Sequence, residues 1–244
     1  MARIGIIGSD GRMGQAIAAV LDASSEHTHA GGVDSGGDVA GLAGRCDTLV
    51  DFSAPGALES NLYAATGAGI PILIGTTGLE EPHFAAIANA AQAVPVLQTG
   101  NTSLGVTLLA HLVQEAAARL GSDWDIEIVE MHHRMKVDAP SGTAKLLGEA
   151  AAAGRGIDLA THMESGRDGH TGARENGAIG FAALRGGTVA GEHSVILAGE
   201  QERLTLSHQA EDRSIFARGA VRGCTWLIGR EPGRYTMPQV LGIS

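Results

Sequence analysis

The first fourteen residues constrain this chain more than any other stretch. Arg3-Ile4-Gly5-Ile6-Ile7 is apolar and largely β-branched, as a buried strand is. It runs into Gly8-Ser9-Asp10-Gly11-Arg12-Met13-Gly14, and a helical pattern follows from about Gln15 to Ala23. A strand, a tight glycine turn and a helix, in that order, open a sheet with helical crossovers. The alternation continues down the chain. His29–Val33, Thr48–Phe52, Ile70–Ile74 and Val94–Leu97 read as strands. Pro55–Thr66 and Pro82–Gln92 read as helices, with Pro55 near a first turn, and a long helix spans 103–120, capped by Ser103 and stopped by Gly121. The pattern predicts a Rossmann-like, doubly wound parallel α/β sheet over residues 1–103.

Beyond residue 153 the character changes. Residues 154–177 are glycine-rich with scattered charge and read as a long loop. Three strand-like runs follow close together, Ile179–Leu184, Ser194–Leu197 and Arg203–Ser207, with turns short enough to make them antiparallel. A helix is expected over Arg213–Leu227. These signs divide the chain into 1–103, completed by 214–244, and an α+β domain with a mixed sheet over 104–213.

The glycine turn carries chemistry as well as shape. A dinucleotide's pyrophosphate needs a tight turn, close backbone approach and close helix packing, each of which excludes a side chain. The spacing is G-x-x-G-x-x-G, because Asp10 stands at the usual second glycine. Asp34, at the end of the second strand, can accept hydrogen bonds from ribose hydroxyls and repels a 2′-phosphate. Gly75-Thr76-Thr77-Gly78 ends another parallel strand, where a nicotinamide ribose lies in such folds.

The densest reactive stretch is residues 130–144, Glu-Met-His-His-Arg-Met-Lys-Val-Asp-Ala-Pro-Ser-Gly-Thr-Ala. It sits between a strand over 125–130 and a helix expected from Ala144 to Ala152. The helix start offers unpaired N–H groups and a positive dipole end, which suit a carboxylate. His132 and His133 are neighbours on the strand and point to opposite faces, so they do not chelate one metal, and no metal site is expected. Read alone, the stretch is equally a solvated cationic edge that discourages aggregation.

Composition narrows the function. The formal charge of −10 argues against nucleic acid, which requires a basic face. With 44% hydrophobic residues and only 3% aromatic, the cores must be built from Ala, Val, Ile and Leu. Apolar runs stop well short of a membrane span, and Met1-Ala2-Arg3 enters a strand at once, so a cytoplasmic protein is expected. A regulatory nucleotide-sensing module would use the glycine turn but leave His132 and Lys136 idle. A reductase with a cysteine nucleophile is a third possibility, yet Cys46 falls in an early loop and Cys224 in a terminal helix.

Together these residues resemble the dihydrodipicolinate reductase family, the 4-hydroxy-tetrahydrodipicolinate reductases of bacterial lysine and diaminopimelate synthesis. The resemblance rests on G-x-x-G-R-M-G at 8–14, G-T-T-G at 75–78 and Asn101-Thr102-Ser103. Its most specific part is E-x-H-H-x-x-K-x-D-A-P-S-G-T-A at 130–144. Gly169-His170-Thr171-Gly172, Ile179-Gly180-Phe181 with Arg185, and Gly191-Glu192-His193 add to it.

The resemblance implies that 1–103 with 214–244 binds NADH or NADPH and that 104–213 binds a small dicarboxylate and assembles a homotetramer. It implies cofactor contacts at Gly8, Ser9, Asp10, Gly11, Arg12, Met13, Asp34, Gly75, Thr76, Thr77, Thr99, Gly100, Asn101 and Thr102. By the same likeness His132 donates the proton, Lys136 is the catalytic lysine, and His133, Gly142, Thr143 and Thr77 bind substrate. Ser35 stands where relatives that accept NADPH readily often show arginine, and Thr102 where an aromatic residue is frequent in the family. The first departure leads us to expect NADH to be preferred over NADPH.

Overall fold

In the computed structural model, which describes residues 1–243, the chain forms two compact units, one built from Met1–Leu104 and the segment from Arg213 onward, the other from Gly105–Asp212. The first unit begins with β1 (Ala2–Ile7), α1 (Arg12–Asp22), β2 (His27–Val33), α2 (Val39–Ala43) and β3 (Thr48–Asp51). A 3-10 turn at Pro55–Ala57 leads into α3 (Leu58–Ala68), then β4 (Ile72–Ile74), α4 (Glu81–Ala90) and β5 (Pro95–Gln98). The second unit is carried by α5 (Leu104–Leu120), β6 (Asp125–His132), α6 (Gly142–Arg155), α7 (Leu159–His162), β7 (Met163–Ser165), β8 (Ile179–Arg185), β9 (Gly191–Gly199) and β10 (Glu202–Ala210). The chain returns to the first unit with α8 (Ser214–Leu227), β11 (Gly233–Tyr235) and α9 (Met237–Val240).

The first sheet runs β11-β5-β4-β3-β1-β2 and every pair in it is parallel. Its inner strands β3 and β4 are buried on both faces because helices cover both. Ile7, Leu49 and Ile72 pack with Leu42, Leu62 and Ile87 of α2, α3 and α4. Ile4, Ile6 and Leu73 pack on the other face with Ile17 and Leu21 of α1 and with Ala220, Cys224 and Leu227 of α8. The chain thus forms the doubly wound α/β sheet expected of it. Both cysteines are buried and free.

The second sheet is mixed and runs β10-β9-β6-β8-β7. Burial along β6 alternates strictly, so Ile126 and Ile128 enter the core beneath α5 and α6. The same period carries Glu130 and His132 onto that buried face. Helix α6 presents Ala144, Leu147, Gly148, Ala151 and Ala152 inward, the stripe of an amphipathic helix, and Gly156 ends it in a left-handed cap.

Several local expectations are corrected. β9 and β10 pair antiparallel as expected, whereas β6 lies between β8 and β9, parallel to the first and antiparallel to the second, so those two run antiparallel without bonding to each other. Their short connection reads like a hairpin, but β6 already supplies the matching apolar face. The stretch 154–177 is not all loop, for it holds α7 and the edge strand β7. Arg174 pins its end by donating to Asp125, Glu127 and the Ile126 and Ala178 carbonyls. Helix α1 starts at Arg12, about three residues before the expected point, because Gly11 already serves as its N-cap. Elements α2, β11 and α9 have too few residues for a periodic signal.

Candidate active site

In the first unit, the turn after β1 folds back on the end of β2. The N–H groups of Gly8 and Ser9 both donate to the Val33 carbonyl, at 2.9 and 3.3 Å. Gly8 has φ +83°, and a Cβ there would lie 2.5 Å from the Phe52 carbonyl oxygen. Gly14 lets α1 pack directly on the Gly8 carbonyl and on Ser9, leaving no room for a Cβ. No side chain caps the start of α1, whose first residues are Arg12 and Met13. Asp34 accepts from Asp10 N–H at 2.6 Å and the Ser9 hydroxyl at 3.0 Å, both through Oδ2, which leaves Oδ1 to accept from a ligand. A close backbone turn, an uncapped helix start and a carboxylate beside them fit a pyridine dinucleotide.

The other cofactor candidates of this unit lie at the ends of the paired strands β4 and β5. Thr76 is buried, and its hydroxyl donates to Asp51 Oδ1 at 3.2 Å; Thr77, next to it, is exposed. Asp51 is buried too and also accepts from Ser53 N–H and Oγ and from Asn61 Nδ2. That cluster fixes the Gly75–Thr77 turn against β3. The Thr99 hydroxyl accepts from Asn101 N–H and donates to the Asn101 carbonyl, and Gly100 between them is exposed. Thr102 differs from the rest. It is buried and its hydroxyl donates to the Phe216 carbonyl at 2.7 Å, so its side chain ties α8 into the fold.

In the second unit, strand register brings together residues far apart in sequence. Pairing of β6 with β9 sets Glu130 opposite His193, and pairing with β8 sets His132 opposite Arg185. Glu130 is 1% exposed. Arg185 grips it with Nη1 on Oε2 and Nη2 on Oε1, each at 2.8 Å, and Ser141 N–H reaches Oε1 at 3.2 Å. His132 Nδ1 lies 2.6 Å from Oε2. Burial opposes ionisation of Glu130, but donation from Arg185 and His132 outweighs it and holds the carboxyl below its ordinary range.

His193 packs edge-on against His132 with ring centroids 5.1 Å apart, and its Nε2 lies 3.0 Å from Ser141 Oγ. Burial, reinforced by the neighbouring His132, pushes the His193 imidazole down to about 4. Ser141 is also the N-cap of α6, its hydroxyl accepting from Ala144 N–H at 3.2 Å. Gly142 and Thr143 therefore form the positive end of a 14-residue helix. His133 follows β6, its N–H donating to the Val189 carbonyl at 2.8 Å. Lys136, in the turn beyond, pairs with Asp138 at 2.9 Å and holds that carboxyl below its usual range.

His132, His133, Lys136, Gly142 and Thr143 thus share one strand–turn–helix. Glu130, Arg185, His193 and Ser141 join them, residues to which the sequence alone assigns no role in the site. The i, i+2 spacing of Glu130 and His132 on an alternating strand was a usable signal for the first. Arg185 and His193 are more than fifty residues away and become neighbours only through sheet register. Among the described residues no group of His, Cys, Asp and Glu could hold a metal, and no helix is long and apolar enough to cross a membrane.

Two family models divide the chain between them. One, described as dihydrodipicolinate reductase, N-terminus, matches residues 2–102; the other, dihydrodipicolinate reductase, C-terminus, matches 105–241. The 4-hydroxy-tetrahydrodipicolinate reductase of Acidiphilium cryptum is 49% identical over 242 residues, covering 99% of this chain and 98% of its own. That of Zymomonas mobilis is 52% identical over 250 residues, covering 99% and 97%. Among solved structures, a dipicolinate-bound dihydrodipicolinate reductase from Paenisporosarcina sp. TG-14 superimposes with a TM-score of 0.78 at 20% identity, covering 97% of each chain.

Proposed function

Because this chain belongs to the dihydrodipicolinate reductase family, the 4-hydroxy-tetrahydrodipicolinate reductases of lysine and diaminopimelate biosynthesis, we propose a specific division of labour for its reduction step. The turn at Gly8–Met13 and the start of α1 hold a dinucleotide pyrophosphate, and Asp34 takes the adenosine ribose. Gly75, Thr76, Thr77, Thr99, Gly100, Asn101 and the Thr102 backbone line its nicotinamide end. When bound, the reduced nicotinamide supplies a hydride. His132 gives a proton to the carbon that gains electron density as C4 of the cyclic imine is reduced. Lys136 and the N–H groups at the start of α6, on Gly142 and Thr143, hold the ring carboxylates and offset developing negative charge. His133 and Thr77 complete the substrate contacts.

The observation that carries this reading is the placement of His132 on the buried face at the end of β6, beside a helix start that suits a carboxylate. NADH is the preferred cofactor, because Asp34 sits where a 2′-phosphate would lie and residues 35–44 contain no lysine or arginine. The second unit also assembles a homotetramer through its sheet, where Leu184 and Leu204 are exposed. The deciding experiment couples the protein to a synthase that makes the substrate from pyruvate and aspartate semialdehyde and follows NADH oxidation. Absence of substrate-dependent oxidation with either cofactor would overturn the reading.

A further inference from the structure

We propose that Glu130 is a positioning residue for this reduction: clamped by Arg185 and Ser141, it keeps a proton on Nδ1 of His132 and leaves Nε2 as the nitrogen that serves the substrate. The inference rests on the reading of His132 as proton donor and assigns the partner that prepares it.

Hydrogen-bond direction sets the tautomer. Two sides of the Glu130 carboxylate are fixed by groups that can only donate, the Arg185 guanidinium and the Ser141 backbone N–H. An ionised carboxylate can only accept, so the 2.6 Å contact at Oε2 requires a proton on His132 Nδ1. The opposite tautomer would set the Nδ1 lone pair against a carboxylate oxygen. Four N–H groups thus converge on two oxygens, and a glutamine amide would turn its NH2 towards other donors. With Nδ1 committed, only Nε2 can carry the exchangeable proton. This is the relation by which a buried carboxylate fixes the tautomer and orientation of a catalytic imidazole.

Charge acts in the same direction. Glu130 on its own strand, Arg185 from β8 and His193 from β9 adjoin His132; around His193 and Arg185 in turn stand His208 on β10 and Lys136, Asp138 and Ser141 from the segment that follows. Glu130 and Arg185 cancel one another, Lys136 is balanced by Asp138, and the two other histidines are pushed by burial towards neutrality. Replacing Glu130 with glutamine would leave Arg185 as an uncompensated cation beside His132. Imidazolium would then be disfavoured both by the lost anion and by the stranded cation.

The test is the pH dependence of kcat at saturating substrate and NADH for the wild type, Glu130→Gln, Glu130→Asp and His132→Gln. A proton donor loses activity as pH rises, so the wild type shows a falling alkaline limb. In Glu130→Gln that limb is expected about one to two pH units lower, with maximal turnover reduced roughly 10²-fold. Aspartate keeps the charge and is expected to return the limb towards the wild-type position. A folded Glu130→Gln enzyme with an unmoved limb, beside an inactive His132→Gln, overturns the proposal alone. An active His132→Gln overturns the underlying proton-donor reading instead. Imidazole ¹⁵N shifts of the wild-type protein give an answer that needs no variant to fold: above the limb, Nδ1 of His132 must be the protonated nitrogen. Finding the proton on Nε2 there also overturns the proposal.

Discussion

Asp34 accepts the Asp10 N–H at 2.6 Å, so the residue assigned to the adenosine ribose also holds the glycine turn closed. Both of its bonds to that turn use Oδ2, which holds the carboxylate beside the turn.

From this follows the first prediction, cofactor choice. A 2′-phosphate brought to Oδ1 meets that charge and loses a ribose hydrogen bond, a penalty of about 1–3 kcal/mol, or ten- to a hundred-fold in favour of NADH. Arg12 is the nearby cation that can offset it. Ser35→Arg is expected to narrow the gap by raising kcat/KM for NADPH. Asp34→Ala should lower efficiency with both cofactors, since the turn loses its anchor. Comparing kcat/KM for the two cofactors at low salt decides the matter, and equal efficiency in the wild type contradicts the account.

The second prediction separates chemistry from cofactor binding. His132→Gln and Lys136→Ala should each reduce turnover about 10²-fold or more, through loss of proton donation or of charge stabilisation. NADH affinity, measured by fluorescence titration, should hardly change, because both residues belong to the second unit. Near wild-type turnover in either variant removes that residue from its assigned role.

The legible parts of the molecule were those with local causes. The turn at Gly8–Gly14 and the buried strands β1 and β3 announce themselves in short runs of sequence, and so does the helix after the 130–144 stretch. Strands β8, β9 and β10 were visible as elements, but their order was not. Whether β8 pairs with β9 or with β6 depends on which apolar faces meet, and that information is spread over the domain. The same limit hid the site's buried half. Arg185 reads as a cation at a strand end until register brings it to Glu130, 55 residues away. Asp51 sits within a strand pattern in the sequence, yet it is the acceptor that holds Thr76 in place.

The third prediction concerns the start of α6. Thr143 is its second residue, and Val keeps the branched shape while removing the hydroxyl. Binding of pyridine-2,6-dicarboxylate should weaken by about 1–2 kcal/mol in Thr143→Val, roughly ten-fold, with substrate KM rising in parallel. The valine also lowers helix propensity slightly, so thermal stability should be recorded alongside. Unchanged inhibitor affinity would move the carboxylate site away from this helix.

The last prediction is a stability profile. The His193 imidazole titrates near 4 in the folded protein against 6.5 for an ordinary histidine. The unfolded chain therefore takes up the proton first, and stability should fall as pH drops from about 6.5 towards 4. His208, also pushed down by burial, adds in the same direction. Glu130 behaves separately: its folded carboxyl lies below 4.5, so its contribution persists above that value and is lost only as pH falls further. The range between pH 6.5 and 5 thus isolates the histidines. Thermal midpoints can be read from Trp124 of the second unit in a Trp226→Phe background. His193→Gln keeps a polar atom near Ser141 but has nothing to titrate, so it should flatten the profile there to the residual slope of His208. A wild-type midpoint that does not move between pH 6.5 and 5 would mean that His193 is hydrated, and its partnership with Ser141 would need to be drawn differently.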